Sequence, residues 1–312
     1  MDLVLEAFDE YVLDSVYARI FPLTLGNTTT ISSELLPVIS SVPRNNLLRQ
    51  FASLYLIVTL GGYFFYFFFA SISYFFFYDH SLKKHPKFLK NQMQKEIKLA
   101  CSSIPVMSLY TVPWFLFEVR GYSRLYNSVT EYGLFYLFFT IFEFLLFTDF
   151  GIYWIHRALH HRLLYARLHK PHHRWIVPTP FASHAFHPLD GYLQSLPYHI
   201  FVYIFPMHRL LYLGMFIFVN FWTIMIHDGE MLTNNPVINS SAHHTIHHLY
   251  FNYNYGQYST LWDRVGKSHR LPAYKQTERQ ILDVWADQVK GIEASTEYDP
   301  SEEYIENTKK MD

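Results

Sequence analysis

Residues 51–78, FASLYLIVTLGGYFFYFFFASISYFFFY, run for 28 positions without one charged side chain. A helix needs about 20 such residues to cross the hydrocarbon core of a bilayer. Within lipid, a helix satisfies its own backbone N–H and C=O groups, which an open strand or loop cannot do. A core helix of a water-soluble protein would be shorter and would keep a polar stripe. This stretch therefore restricts the chain to membrane-embedded architectures built from helices. Residues 1–25 mix acids with apolar side chains and carry no basic leading region, so no signal-peptide pattern is expected there.

Further apolar runs follow. Residues 99–117 form a second candidate span despite Pro105 and Pro113, and 132–155 form a third, interrupted only by Glu143 and Asp149. Two runs of 17, at 191–207 and 210–226, are separated by His208 and Arg209 and read as a hairpin that crosses the bilayer or dips deeply into it. The expected fold class is all-α, a multi-pass membrane helical bundle. It divides into an N-terminal lumenal or interfacial segment (1–50), a membrane-embedded domain (51–262) and a polar cytosolic tail (263–312). Loop charge orients it. The loop 79–98 holds six Lys against Asp79 and Glu96, so it belongs in the cytosol, whereas 1–50 holds six acids against three Arg and suits the opposite side. Asn27-Thr28-Thr29 fits a glycosylation acceptor on that side. Lys309-Lys310 near the C-terminus fits either a dilysine retrieval signal of endoplasmic reticulum residents or an ordinary charged tail.

Of 18 histidines, 15 fall between His156 and His248. Three clusters stand out: His156-x-x-x-His160, His169-x-x-His172-His173 and His244-x-x-His247-His248. Chance at this histidine content would supply far fewer such motifs. On a helix, residues i and i+4 share a face, so His156 and His160 can reach one ion. In each HxxHH box the outer pair is again i and i+4 while the middle residue stands a turn-step away, so one box can serve two neighbouring ions. One tetrahedral structural zinc takes four ligands. Eight box imidazoles therefore imply two metals, for which iron, zinc and copper are all suitable. With the hairpin returning the chain to the cytosol, all three clusters reach one face of the membrane, as a cytosolic cap.

His227, just after the last apolar run, is expected as a ninth ligand. His184 and His187 are read as metal ligands or as hydrogen-bonding neighbours of ligands. His80, His85, His199, His208 and His269 are expected to be interfacial or exposed, and His243 is not assigned. Asp149 is costly in an apolar helix unless partnered. Two turns before His156, it is expected to orient a ligand imidazole. A net charge of −1 offers no basic excess for nucleic acid. The single cysteine, Cys101, cannot form an internal disulfide. A metal transporter would place its ligands near the bilayer midplane, whereas these boxes sit at helix ends or beyond.

The order HxxxH, HxxHH, HxxHH with intervening apolar hairpins resembles the membrane di-iron fatty acid hydroxylase/sterol desaturase superfamily. The strings FTDFGIYWIHRALH, LHKPHHRW, TPFASHAFHPLDGYLQS, NFWTIMIHDG and HHTIHHLYFNYNYGQYSTLWDR, with the opening MDLVLEAFDEYVLD, resemble the fungal sterol C5-desaturases within it. The resemblance runs from residue 1 to about 290. It implies an oxidoreductase of the endoplasmic reticulum with two Fe ions at the histidines, using O2 and electrons from NAD(P)H. Zinc can replace iron in a recombinant protein. The implied substrate is a Δ7-sterol such as episterol, desaturated at C5–C6 in ergosterol synthesis. The implied electron donors are cytochrome b5 and its reductase. No haem-binding HPGG string occurs, so cytochrome b5 is expected as a separate protein. A sterol or lipid hydroxylase or C4-methyl oxidase of the same superfamily would share the generic boxes.

Overall fold

The computed structural model describes residues 1–23, 39–229 and 235–271. The Asn27 acceptor, the Lys309-Lys310 pair and the tail from residue 272 onward lie outside the described residues. An N-terminal arm consists of α1 (Asp2–Phe8), one π-helical turn (Asp9–Leu13) and α2 (Asp14–Ile20). Buried Arg49 ties this arm to the first long helix: its guanidinium donates to Asp9 Oδ1 at 2.7 Å, to Asp14 and to the Val42 carbonyl at 2.8 Å.

Among the described residues, three helices are long and apolar enough to cross a membrane: α3 (Leu47–Phe76), α4 (Gln92–Val119) and α5 (Gly133–Leu159). α4 contains its expected span and extends past both ends, whereas α3 starts before residue 51 but stops short of 78, and α5 starts just after 132 but runs past 155. α3 begins at Asn46, whose side chain accepts from the Leu48 and Arg49 N–H groups and so caps the helix. α4 starts inside the basic segment expected as a loop. Its first turns are held by buried Gln92, which donates to Glu96 Oε1 and to the Val177 carbonyl, both at 2.7 Å. Pro105 cannot donate to the Cys101 carbonyl one turn earlier. Tyr63 Oη of α3 donates to that carbonyl at 2.8 Å, and the helix continues. Phe64, Phe68 and Phe76 of α3 and Phe135, Phe138 and Phe142 of α5 remain exposed, forming an apolar outer face suited to lipid.

After α5 the chain makes α6 (Arg162–Leu164), a π-helical turn (Tyr165–His169), α7 (Lys170–His173) and a 3-10 turn (Pro180–His184). The hairpin is α8 (Pro188–Ile204) and α9 (Arg209–Met225). At 17 residues apiece, each helix is about 25 Å long. The hairpin tip contains β2 (Met207–His208), which pairs in parallel with β1 (Leu125–Tyr126) in the α4–α5 connection. It therefore reaches the end of the bundle from which α5 sets out. The core between these helices contains Phe115, Phe144, Ile152, Phe201, Val202 and Val219.

The last helices among the described residues are α10 (Ser241–Tyr250) and α11 (Leu261–Val265). Residues 263–271, expected as the start of a solvated tail, instead pack on α5. Asp263 is buried and accepts from the Tyr255 and Gly256 N–H groups and from Ser268 Oγ, all at 2.8 Å. A buried carboxylate with three donors belongs to the folded body.

Candidate metal centre

Four parts of the chain deliver the imidazoles to one end of the bundle. His156 and His160 lie one turn apart where α5 ends; His169, His172 and His173 come from the π turn and α7; His244, His247 and His248 come from α10. His227 follows α9. All nine are buried, and they separate into two groups. His156, His160, His169, His173 and His247 bring their nitrogens within 4.8 Å of one another; His172, His227, His244 and His248 do the same. Each HxxHH box is divided between the groups. The first sends its i and i+4 residues to the group of five and its middle residue to the group of four. The second box does the reverse.

Hydrogen bonds on the far side of several rings set their tautomers. His156 Nδ1–H donates to the Tyr255 carbonyl at 3.0 Å, His247 Nδ1–H to Tyr253 O at 2.8 Å, and His227 Nδ1–H to Thr223 O at 2.6 Å. His169 Nδ1–H donates to Asp190 Oδ2 at 2.7 Å. In a neutral imidazole that leaves Nε2 as a bare acceptor. His156 Nε2 and His169 Nε2 nevertheless stand 3.1 Å apart. Two lone pairs facing each other at that distance repel unless a cation lies between them.

The spacing also matches a metal. In the group of five, the His173 Nε2 separations from His160, His169 and His247 are 3.1 Å each. In the group of four, His244 Nε2 stands 3.0 Å from that of His227 and 3.1 Å from that of His248, and His172 Nε2 is 3.4 Å from that of His227. Metal–imidazole bonds of about 2.1 Å put ligands at right angles about 3 Å apart. Five imidazoles exceed a tetrahedral set, so the residues fit a metal of higher coordination number in the larger group.

Burial holds His172, His173, His244, His247 and His248 well below the ordinary imidazole range, and neighbouring imidazoles add to the effect. Burial pushes His227 down to about 4. The rings are therefore neutral, which is the ligating form.

Other sequence expectations fare differently. His184 and His187 lie outside both groups. His187 caps α8 by accepting from the Leu189 N–H, and His184 contacts Ser183. His243 turns away to close a capping box with Ser240. His85 and His199 are buried, contrary to the expectation of exposure, with His199 packed between Trp114 and Phe115.

The expectation for Asp149 is corrected. Its carboxylate accepts from the Gln257, Tyr258 and Ser259 N–H groups at 2.8–3.2 Å and from Ser259 Oγ at 2.5 Å. Two turns inside the helix, it faces the 256–260 loop, and the unpaired backbone donors of that loop take it. Asp149 and Asp263 together position the loop that presents the Tyr255 carbonyl to His156. The carboxylate that meets an imidazole directly is Asp190, in the first turn of α8 and steadied by Gln194 Nε2 at 2.8 Å. A buried acid at a helix start, one residue before an uncharged run, was the available signal for it.

A cavity of about 800 Å³ leads away from His172, His227 and His244 between α3, α4, α8 and α9, and α1 lines its far end. Its wall is chiefly apolar. Leu56, Leu60 and Phe64 line it and are also exposed on the outer face of α3.

The profile of the fatty acid hydroxylase family matches residues 141–268, a stretch that includes all nine imidazoles. The chain is 49% identical to a Delta(7)-sterol 5(6)-desaturase of Schizosaccharomyces pombe over 99% of both chains. It is 46% identical to the Delta(7)-sterol 5(6)-desaturase of Saccharomyces cerevisiae over 94% of this chain and 93% of that one. A relative from Aspergillus fumigatus with the same activity in its name is also 46% identical, with the same coverage. No solved structure is significantly similar.

Proposed function

Because the chain belongs to the Delta(7)-sterol 5(6)-desaturase family, we propose that its two imidazole groups hold two iron ions serving C5–C6 desaturation of a Δ7-sterol. It is an oxidoreductase that acts on sterols, and it is a membrane protein. The observation that carries the metal assignment is the convergence of the imidazole Nε2 atoms, with the ring protons of His156, His169, His227 and His247 committed to carbonyls and to Asp190 on the far side. Bound iron supplies the O2-dependent removal of unactivated hydrogens, chemistry that side chains alone do not provide.

The protein's own contribution is placement. His156, His160, His169, His173 and His247 hold one ion, and His172, His227, His244 and His248 the other. Asp190 and the carbonyls of Tyr253, Tyr255 and Thr223 keep the rings aimed inward. The cavity receives the flat, apolar sterol and excludes water. Access is lateral from the bilayer, past Leu56, Leu60 and Phe64. The boxes and C-terminus face the cytosol of the endoplasmic reticulum, where a separate cytochrome b5, reduced by its reductase from NAD(P)H, delivers electrons.

The test is sterol analysis of a strain lacking C5-desaturation, complemented by this chain. The wild-type chain restores 5,7-dienes, and His247→Ala, present at equal level, does not. The purified wild type carries two irons per chain. A sterol alcohol as end product, or full activity in His247→Ala, would overturn the proposal.

A further inference from the structure

Resting on the desaturase reading, we propose that Val4 and Phe8 of the N-terminal arm meet the end of the sterol side chain and set the chain length that the enzyme accepts. In a sterol, C5 and C6 belong to the second ring, whereas the side chain leaves C17 at the other end of the fused nucleus. With C5 and C6 at the imidazoles, the longer part of the molecule therefore extends away from them. The cavity leads away from His172, His227 and His244, so the side chain travels down it.

α9 marks both ends of that path. Its first residue, Arg209, pairs with Asp2 of the arm, Nη1 to Oδ2, at 2.8 Å, and His227 follows its last turn. The 17 residues of α9 separate the arm from the imidazoles by about 25 Å along the helix axis. The arm is also tied to α3. Arg49 Nη2 donates to Asp9 Oδ1 at 2.7 Å, and Tyr17 Oη lies 3.1 Å from Ser53 Oγ. Anchored to two helices that wall the cavity, the arm lies across the end opposite the imidazoles.

The arm presents two neighbouring stripes. Leu5, Asp9 and Leu13 are buried against the bundle. Val4 and Phe8 stand one helical turn apart, Val12 follows, and all three line the cavity together with Leu213 of α9. Phe8 is nevertheless 43% exposed and Val12 49% exposed, so the protein's own side chains leave this stripe partly uncovered. The stripe is wholly apolar, and the nearby carboxylates of Asp2 and Asp9 are committed to arginines. Hydrocarbon matches such a surface, and a hydroxyl or a charged headgroup does not. A branched alkyl chain arriving down the cavity covers Val4 and Phe8 only if it is long enough to reach them. A longer one collides with Phe8.

The experiment offers three Δ7-sterols that differ only in side-chain length, natural, shortened and lengthened, to membranes of a host lacking C5-desaturation that carry the full chain. The readout is 5,7-diene formation from each. The wild type should prefer the natural length by about 10-fold in kcat/KM over either alternative, the usual discrimination of an apolar pocket. Val4→Phe, which narrows the end, should shift the preference toward the shortened sterol. Phe8→Ala, which opens it, should shift the preference toward the lengthened one. Val16→Phe, on the arm but away from the cavity, should keep the wild-type order. Preferences are ratios within one preparation, so differing amounts of folded variant cancel, and a general loosening of the arm would not move the two variants in opposite directions. A wild type indifferent to chain length, wild-type preferences in both Val4→Phe and Phe8→Ala, or an equal shift in Val16→Phe would overturn the inference. A wild type that forms no 5,7-diene from the natural sterol would overturn the desaturase reading instead.

Discussion

At the residue scale, the acids around the centre divide their work. Asp190 holds the His169 ring directly, so Asp190→Asn should lower metal affinity by about 10- to 100-fold, the usual effect of removing a ligand's orienting partner. Iron retained per chain after dialysis against a graded chelator measures this. Asp149 acts through the backbone of residues 257–259. Asp149→Asn leaves N–H groups facing an amide and should cost about 2–3 kcal/mol of stability. The thermal midpoint should fall, with a smaller change in metal affinity than Asp190→Asn produces. Equal losses of iron in the two variants would contradict this division. The sequence made Asp149 visible because a lone carboxylate stands out in an apolar helix. Asp190 hides at a helix start, where an acid is ordinary.

At the element scale, close packing of α5 against α8 sets the distance between His156 and Asp190. Gly151 of α5 meets Pro197 of α8 so tightly that an added Cβ would come within 2.5 Å of Pro197 Cγ, a ring atom with little freedom to give way. Gly151→Ala should therefore cost about 1–3 kcal/mol, and by parting the two helices it should also lower desaturation. Activity per bound iron checks this, and a variant unchanged in both respects would show that the helices adjust independently. The long helices were legible in the sequence because an uncharged run of sufficient length is a local property. Their ends were less so. α4 begins at Gln92 because Glu96 and Val177 receive that side chain, and Val177 is 85 residues away in sequence. The order within the 263–271 segment likewise depends on Asp263 meeting a loop presented by another helix.

For the whole molecule, the metal centre is a clasp joining α5, α7, α10 and the end of α9 at one end of the bundle. Removing metal should raise amide hydrogen exchange across 165–173 and 241–250, whose imidazoles meet in the two groups. The α3–α4 pair, packed through Tyr66, Ala70, Ala100 and Ile104, should stay protected. Uniform loss of protection would show that metal supports the entire fold. The pH dependence has a definite sign. Burial depresses proton affinity at His172, His173, His244, His247 and His248 below the usual 6.5. The unfolded chain therefore binds more protons as pH falls. Stability is present in full above about 6.5 and lost below it. The thermal midpoint of metal-depleted protein should drop between about pH 7.5 and about 5.5, and that of the iron-loaded protein should drop less, because metal keeps its ligands deprotonated.

The sequence by itself determined that this is a helical membrane protein, because an uncharged run and its length are written locally. It also determined that eight box histidines and His227 would gather on one face, because i and i+4 spacing and span parity follow from helix geometry. Only the tertiary structure decided how each HxxHH box divides between two groups, that Asp190 serves an imidazole while Asp149 serves a loop, and that His184 faces a cavity. Those outcomes depend on how helices distant in sequence cross and face one another. Helical periodicity assigns a side chain to a face; packing decides what that face meets.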